Sequence, residues 1–273
     1  MDLALIEKAA DLLVRAKHTI VLTGAGISTE SGVPDFRSPG GIWDRYDPSV
    51  FLYQRFLKEP DSVWKIIIEM VSTGALSIFD AKPNKGHIAL AYLEQIGLIH
   101  TVITQNIDNL HQKAGSRHVI EFHGNMQYAK CIKCSRLYDY QEIINILDIE
   151  NLPPKCTCGG VLKPNAVFFG ETIPKNALTE AFEEAGACDL MLVIGTSAQV
   201  EPAASLPFVA KGKKPMALGL LSMFSPQEAA YVVEMNRETT PLTDSVSDFI
   251  IQGSTGEILT ELTEKVKEIK GLL

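Results

Sequence analysis

Residues 18–37 read HTIVLTGAGISTESGVPDFR, an apolar run that leads directly into a turn with paired glycines, Gly24 and Gly26. A strand that ends in such a turn can bring bare backbone N–H groups against a diphosphate, which a turn with bulkier side chains would hold at a distance. Paired glycines after a strand also occur in tight turns that bind nothing. Alone, the motif leaves both interpretations open.

On either side of this segment, short apolar runs alternate with amphipathic ones. Strands are predicted at Thr19–Thr23, Ile99–Thr104, Val119–Phe122, Leu190–Ile194, either Met216–Leu220 or Tyr231–Met235, and Asp248–Gln252. Helices are predicted at Asp2–Ala16, Lys85–Ile96, Lys175–Ala185 and Thr255–Lys270, with Gly97 and Gly186 as stop signals. The alternation indicates an α/β fold with a Rossmann-like, doubly wound parallel sheet.

Two segments interrupt the alternation and predict a smaller zinc-binding and helical domain. Residues 38–85 are rich in aromatics and prolines and are predicted to be helical, while 126–165 contains four of the five cysteines. The large Rossmann-like part then comprises residues 1–37, 86–125 and 166–273, within a single domain that spans 1–273.

Composition restricts the class of protein. The chain has 273 residues, of which 46% are hydrophobic, so it can bury a full core. Its net charge of −8 argues against direct nucleic-acid binding through phosphate neutralisation. The first residues lack a secretory pattern and no apolar run reaches membrane-spanning length. We therefore expect a cytoplasmic protein without membrane contact, in which thiols stay reduced or bind metal.

The cysteines form two close pairs. Cys131 and Cys134 are spaced as C-x2-C, and Cys156 and Cys158 as C-x-C. Four thiolates complete the tetrahedral shell of a structural zinc ion and leave no position for water. Disulfides or unconnected buried cysteines are the alternative, which a reducing compartment makes less favourable. Cys188 stands apart and is interpreted as a small buried hydrophobe.

Polar side chains follow several predicted strands. Residues 104–108 (TQNID), His123 with Gly124, and residues 195–197 (GTS) all come directly after an apolar run. Each has an alternative interpretation, as a helix cap or a structural histidine. The carboxyl ends of parallel strands meet at one edge, so together these motifs predict one ligand crevice, with an imidazole that can take a proton from a hydroxyl.

Taken together, the motifs resemble the sirtuin family over nearly the whole chain. They are residues 24–37, 104–108, 122–124 (FHG), both cysteine pairs, 164–171 (PNAVFFGE) and 195–197. The resemblance implies an NAD-dependent protein lysine deacetylase that transfers the acyl group of acyl-lysine to ADP-ribose and releases nicotinamide. It implies NAD and zinc as cofactors and acyl-lysine proteins or peptides as substrates. Protein mono-ADP-ribosyl transfer and long-chain deacylation remain alternatives, and a hydride-transferring dehydrogenase or an acyl-lysine binding module is less favoured.

The resemblance also implies roles for individual residues. His123 is the general base for a ribose hydroxyl, and Asn106 joins it as a catalytic residue. Val167 and Phe169 resemble the walls of the acyl-lysine tunnel, while Gly170 and Val200 lie where backbone pairs with a substrate peptide. The cofactor-binding residues implied are Gly24, Ala25, Gly26, Ser28, Asp35, Phe36, Arg37, Gln105, Ile107, Asp108, Gly195, Thr196, Ser197, Asn236 and Thr255.

The chain departs from the family pattern in two places. Sirtuins that prefer acidic acyl groups carry a Tyr-x-x-Arg pair, and by alignment on Trp64 those positions fall near Ile68 and Val71. An apolar pair cannot compensate a buried carboxylate, so neutral acyl groups are expected. Residues 211–230 also make the stretch between residues 195–197 and Asn236 longer than it is in the family. The alignment of Asn236 with the family's ribose contact therefore stays open.

Overall fold

The structure is a computed structural model that describes residues 1–213 and 229–272. The strands within these residues are β1 (Thr19–Thr23), β2 (Thr101–Thr104), β3 (Val119–Glu121), β4 (Gly124–Cys131), β5 (Leu137–Asp139), β6 (Leu162–Ala166), β7 (Leu190–Ile194), β8 (Tyr231–Asn236) and β9 (Phe249–Gln252). The α-helices are α1 (Leu3–Arg15), α2 (Tyr53–Lys58), α3 (Pro60–Ser72), α4 (Lys85–Gln95), α5 (Leu110–Ala114), α6 (Tyr140–Ile146), α7 (Lys175–Ala187), α8 (Leu206–Ala210) and α9 (Thr255–Lys270).

Six of these strands form one parallel sheet in the order β3-β2-β1-β7-β8-β9. β1 lies at the centre, where Thr23 is in register with Thr104 of β2 on one side and with Ile194 of β7 on the other. The order reverses between β1 and β7, and ligands of open α/β sheets bind outside the carboxyl ends of strands at such a point. The predicted Rossmann-like α/β fold is confirmed.

Helices cover both faces of this sheet, as a doubly wound fold requires. Val21 of β1 points into a core shared with α1, α4 and α9. Its neighbours Ile20 and Leu22 point into a second core shared with α7 and α8. All five residues of β1 are buried, because the strand is covered on both sides and alternation sends successive side chains to opposite layers. No helix among the described residues is both long and apolar enough to cross a membrane.

Most predicted elements agree with the structure to within two residues at each end. The candidate strand Tyr231–Met235 corresponds to β8, whereas the alternative at Met216–Leu220 lies outside the described residues. Gly97 does follow the end of α4, with φ +77°. Gly186 was wrong as a stop signal, because α7 continues through it to Ala187 and ends where Cys188 adopts the extended backbone that leads into β7.

A smaller antiparallel sheet, in the order β5-β4-β6, lies beside the large one. Side chains of α2 and α3, including Phe56 and Trp64, pack against Ala129, Tyr138 and Leu162 of this sheet. The indole Nε1 of Trp64 donates a hydrogen bond to the carbonyl oxygen of Leu162 at 2.8 Å. The two interrupting segments of the sequence therefore share one core, and the strands of this sheet were not predicted.

Candidate functional site

A crevice of about 850 Å³ opens at the carboxyl edge of the parallel sheet and extends to the small sheet. Most of the residues singled out in the sequence line it. These are Gly24, Ala25, Gly26, Asp35, Phe36, Arg37, Gln105, Asn106, Ile107, His123, Val167, Phe169, Gly170, Gly195, Thr196, Ser197, Val200, Asn236 and Thr255. Ser28 and Asp108 are buried behind the crevice wall instead, at 0% and 3% exposure.

The floor of the crevice is formed by backbone of the loops after β1 and β7. A Cβ at Gly24 would lie 2.7 Å from Cβ of Thr196, and one at Gly26 would lie 2.8 Å from Cα of Gly195. The Gly26 N–H donates to the carbonyl oxygen of Gly195 at 2.8 Å. Only glycine allows the two loops to approach this closely, and the approach leaves a surface without side chains that suits a diphosphate.

Ser28 and Asp108 support Asn106 from behind. The Asn106 amide donates to the carbonyl oxygen of Gly24 at 3.0 Å and to Oγ of Ser28 at 3.1 Å. Ser28 Oγ in turn donates to Asp108 at 2.7 Å. Burial raises the pKa of the Asp108 carboxyl, and the hydrogen bonds from Ser28 and from the N–H of Leu110 oppose that rise. The network orients the Asn106 amide, while the predicted contact of Ser28 and Asp108 with cofactor stays a prediction.

Two buried histidines complete this layer and were not singled out in the sequence. His87 Nδ1 accepts from the N–H of Asn84 at 3.4 Å, so its Nε2 carries the hydrogen that faces Ser28 Oγ at 3.4 Å. Burial lowers the pKa of His87 to about 4 and that of His111 well below its usual range. Both imidazoles are therefore neutral at physiological pH. Their spacing carries no signal of a shared site, because they come from two different helices, α4 and α5.

The imidazole of His123 lies on the crevice wall in a defined tautomer. Its Nδ1 is 3.2 Å from the carbonyl oxygen of Gln105. Because a carbonyl can only accept, Nδ1 carries the hydrogen and Nε2 is the proton acceptor. Burial lowers the pKa of His123, and the hydrogen bond to Gln105 only partly offsets this. The ring is therefore a neutral base at physiological pH.

Hydrogen bonds join three strand ends around Thr196. Gln105 Nε2 donates to Oγ1 of Thr196 at 3.0 Å, and the Asn236 amide donates to its carbonyl oxygen at 3.0 Å. Gln105 also holds His123 through its own carbonyl. The side chains predicted to meet at the sheet edge, from β2, β7 and β8, are thus connected to one another and to the imidazole.

Gly124, directly after His123, is expected to be intolerant of any side chain. It has φ +78°, and a Cβ there would lie 1.9 Å from the carbonyl oxygen of Asn165 in β6. We expect Gly124→Ala to lower the free energy of unfolding by about 3 kcal/mol or more, from backbone strain and overpacking together. Gly97→Ala is a matched control, since φ is +77° and nothing lies within 4 Å. It should cost about 1–2 kcal/mol. Equal losses in urea unfolding would contradict the steric argument.

The entrance side of the crevice is aromatic and apolar. Phe36 packs on Trp43 with ring centroids 5.1 Å apart, and Trp43 lies 6.1 Å from Phe169. Asp35 orders this loop by accepting from the N–H groups of Arg37 at 3.0 Å and Ser38 at 2.8 Å. A loop with these contacts presents an apolar surface toward the sheet edge. Trp43, which forms part of that surface, was not among the predicted site residues.

The apolar pair expected on α3 is one residue out of register. Ile67 and Met70 line the crevice, whereas Ile68 and Val71 line a second cavity of about 210 Å³ between α3 and the small sheet. The alignment on Trp64 was wrong by one position, which on a helix turns a side chain by about 100°. The pair that faces the crevice is nevertheless apolar, as expected.

A buried carboxylate beneath the far end of the crevice was also missed. Glu234, on β8, is 1% exposed and accepts hydrogen bonds from the hydroxyls of Thr240, Thr243 and Ser247. The segment that follows, including Arg237, Thr239 and Thr240, lines the crevice beside Asn236. A Glu in a run of apolar residues is the only signal in the sequence, and it does not indicate which hydroxyls it will meet.

The four paired cysteines form a metal-binding cluster. Their sulfur atoms all lie within 4.8 Å of one another, with Sγ–Sγ distances of 3.6 Å for Cys131–Cys158 and for Cys134–Cys156. A tetrahedron with Zn–S bonds of about 2.3 Å has edges of about 3.8 Å. N–H donation from Cys158, followed by the Tyr138 hydroxyl, lowers the pKa of the Cys156 thiol to about 6. The donor set and its spacing fit a structural zinc ion.

Comparisons with known proteins agree with this geometry. The chain is 44% identical over 262 residues to NAD-dependent protein deacylase 2 of Pyrobaculum aerophilum, covering 94% of each chain. It is 41% identical over 261 residues to the NAD-dependent protein deacetylase of Sulfurisphaera tokodaii, covering 96% of each. A solved Sir2–p53 peptide–NAD+ complex superimposes with a TM-score of 0.78 at 36% identity, covering 98% of this chain and 99% of that one.

The family assignment rests on the same residues that form the crevice. The model of the Sir2 family matches residues 24–202, which run from the glycine floor through His123 and the cysteine cluster to the loop after β7. The two relatives at 44% and 41% identity extend the match to 94% and 96% of the chain. The chain belongs to the Sir2 family, the sirtuins.

Proposed function

We propose that this protein is an NAD-dependent protein lysine deacetylase, which transfers the acyl group of acyl-lysine to ADP-ribose and releases nicotinamide. One observation carries the proposal: a neutral imidazole with a free Nε2 lines the same crevice as a side-chain-free glycine floor and an apolar entrance. The names of the relatives, and the peptide and NAD+ in the solved Sir2 complex, support it.

The chain's own residues suit the binding of a dinucleotide. The glycine floor at Gly24 and Gly26 would take the diphosphate, and Asn236 the far ribose. Thr255 Oγ1 is buried at the crevice without a hydrogen-bond partner among the described residues, so a bound ligand can satisfy it. NAD, when bound, supplies a ribosyl–nicotinamide bond whose cleavage provides the acceptor for the acyl group.

His123 and Asn106 divide the work at the reacting ribose. Nε2 of His123 accepts the proton of a ribose hydroxyl as that oxygen becomes a nucleophile. The Asn106 amide, fixed by Gly24 and Ser28, orients the sugar. Phe36 covers the ribose and excludes water, which would otherwise compete as a nucleophile.

The acid limb of the pH profile should report His123. Because burial lowers its pKa below the usual value near 6.5, the imidazole stays neutral as pH falls through that value. It becomes protonated, and inactive as a base, only at lower pH. We therefore expect the acid midpoint of kcat/KM for the acetyl peptide to lie below pH 6.5. An acid midpoint above 6.5 would contradict the assignment.

The walls of the acyl site favour neutral acyl groups. Ile67, Met70 and Val167 line the crevice and present no cation to a carboxylate.

A second candidate function, the removal of long acyl chains, is favoured by the 210 Å³ apolar cavity, because Ile67 and Met126 line both that cavity and the crevice. Gly170 and Val200 would offer backbone to an extended peptide, which reads shape more than sequence.

The proposal is tested by incubating the protein with NAD and peptides that carry acetyl, succinyl or long-chain acyl-lysine, with mass spectrometry of both products. Deacetylated peptide and free nicotinamide in equal amounts are expected, with little turnover of the succinyl peptide. ADP-ribose attached to protein without deacylation would favour a mono-ADP-ribosyltransferase instead. Absence of NAD consumption with every peptide would refute the enzymatic proposal.

The metal cluster supports two proposals, one about the domain organisation of the chain and one about its cellular location. Its four sulfur ligands leave no coordination position for a substrate, so its role is to hold the small sheet. We propose that residues 38–85 and 126–165 form the small part of the molecule and the rest the large part. Because cysteines stay reduced and available to bind metal in reducing compartments, we also propose a cytoplasmic location.

A further inference from the structure

An ion pair joins a lysine buried behind the wall of the proposed acyl-lysine tunnel to a partly buried glutamate that lines the crevice. Lys163, on β6, is 5% exposed, and its Nζ lies 3.0 Å from Oε2 of Glu171. Nζ also donates to the carbonyl oxygens of Pro164 at 2.8 Å and Ala166 at 2.6 Å. A buried ammonium group must be paired and hydrogen-bonded, and here each of its three hydrogens has an acceptor.

Both members of the pair act on the segment 166–171. Glu171 Oε2 accepts from the N–H of Phe168 at 2.9 Å, and the Glu171 N–H donates to the carbonyl oxygen of Phe168 at 2.9 Å. The Lys163 ammonium also lies 4.3 Å from the centre of the Phe168 ring. The pair therefore fixes the carbonyl of Ala166 and both the backbone and the ring of Phe168.

The same segment connects the imidazole to the substrate side. The N–H of Val167 donates to the carbonyl oxygen of His123 at 2.8 Å. Phe169 donates its N–H to Phe51 at 2.9 Å and accepts from the N–H of Tyr53 at 2.9 Å. Val167, Phe169 and Glu171 all line the crevice, so a shift of this backbone moves the tunnel walls.

Stability alone does not call for charges at this place. Well-packed apolar residues of similar volume are often as stabilising as a buried ion pair. An ion pair that also forms hydrogen bonds with backbone groups does something that apolar residues cannot do, because it sets the orientation of those backbone groups. We infer that Lys163 and Glu171 are positioning residues for the acyl-peptide substrate, which hold residues 166–171 in the geometry that encloses acyl-lysine. The inference rests on the proposed deacetylase function.

Lys163→Met tests this, because it keeps the length of the side chain and removes the charge. We expect the KM for acetyl peptide to rise about tenfold, as for displaced binding groups, while the KM for NAD changes less than about twofold. Lys211→Met is a matched control. Lys211 pairs with Asp248 at 2.6 Å, Asp248 also accepts a backbone N–H, from Val232, and neither member of that pair lines the crevice. It should change neither constant.

Two further variants keep the test informative if Lys163→Met fails to fold. Lys163→Arg retains the cation and should restore most of the peptide affinity. Glu171→Gln retains an oxygen for the Phe168 N–H but loses the charge, and should raise the peptide KM as Lys163→Met does. The double variant should be no worse than either single one, since the two side chains act as a unit.

The outcomes separate this inference from the proposed function. If wild type consumes no NAD, the proposed function fails, and amide hydrogen exchange at Val167 and Phe168 still reports whether the variants loosen the segment. If wild type deacetylates, an unchanged peptide KM in Lys163→Met or Glu171→Gln overturns the inference. An equal rise in the KM for NAD also overturns it, because that pattern indicates general damage to the fold.

Discussion

Replacing His123 with alanine is expected to lower the rate of deacetylation about a hundredfold or more, the usual effect of losing a general base. Nε2 of the imidazole is the proton acceptor, because Nδ1 is held by the carbonyl of Gln105. Alanine provides no acceptor and leaves the backbone bond from Val167 to the carbonyl of residue 123 in place. Binding of acetyl peptide, measured by fluorescence anisotropy, should change little.

His118→Ala is the matched control for this variant. His118 is exposed, and its backbone N–H and carbonyl oxygen form hydrogen bonds with Glu94 and Val102. It should retain wild-type nicotinamide release. A His123→Ala enzyme that keeps more than about a tenth of the wild-type rate at saturating NAD would show that the imidazole is not the base.

Removing metal from the cysteine cluster is expected to unfold the small sheet and abolish activity. Cys131 ends β4, and Cys156 and Cys158 lie in the loop before β6, so the cluster closes one end of this sheet. Structural zinc binds zinc-finger peptides with about 10–16 kcal/mol, which is comparable with the whole stability of a domain, about 5–15 kcal/mol. A strong chelator should therefore reduce the near-UV circular dichroism signal to which Trp64 contributes, and added Zn²⁺ should restore it.

Single substitutions separate the cluster from cysteine chemistry in general. Cys134→Ser should reproduce the effect of chelation, since it removes one sulfur of the four. Cys188→Ala is the control, because Cys188 is buried between α7 and β7, away from the cluster. Its thiol donates one weak hydrogen bond, to the carbonyl oxygen of Ala185. It should stay folded and active in chelator-free buffer. Full activity after complete removal of metal, verified by mass spectrometry, would contradict a structural role.

The sequence predicted the parallel sheet well because each strand carries its own local signal. Thr19–Thr23 and Leu190–Ile194 match β1 and β7 residue for residue, since short apolar runs bounded by polar residues are typical of strands covered on both faces. The crevice followed from those strands, because the carboxyl ends of parallel strands must share an edge. The cysteine spacing likewise predicted the metal cluster.

What the sequence did not predict depends on side-chain contacts that only the folded chain creates. The link from Ser28 to Asp108 and the pair of Lys163 with Glu171 require the fold before their partners can be named. The phase of α3 was also wrong, because a one-residue error in alignment exchanges Ile67 for Ile68 on the crevice face. The prediction that Gly186 ends α7 was wrong, because a glycine favours a helix end where the backbone takes a left-handed conformation. The backbone at Gly186 is not left-handed, and the helix continues to Ala187.

The bonds around Thr196 carry a consequence for how this enzyme can change over evolution. The proposed contact of Asn236 with the nucleotide's far sugar and the orientation of the His123 imidazole are linked, because hydrogen bonds run from Asn236 through Thr196 and Gln105 to His123. A lineage that relaxed its cofactor preference at one end would also disturb its chemistry at the other.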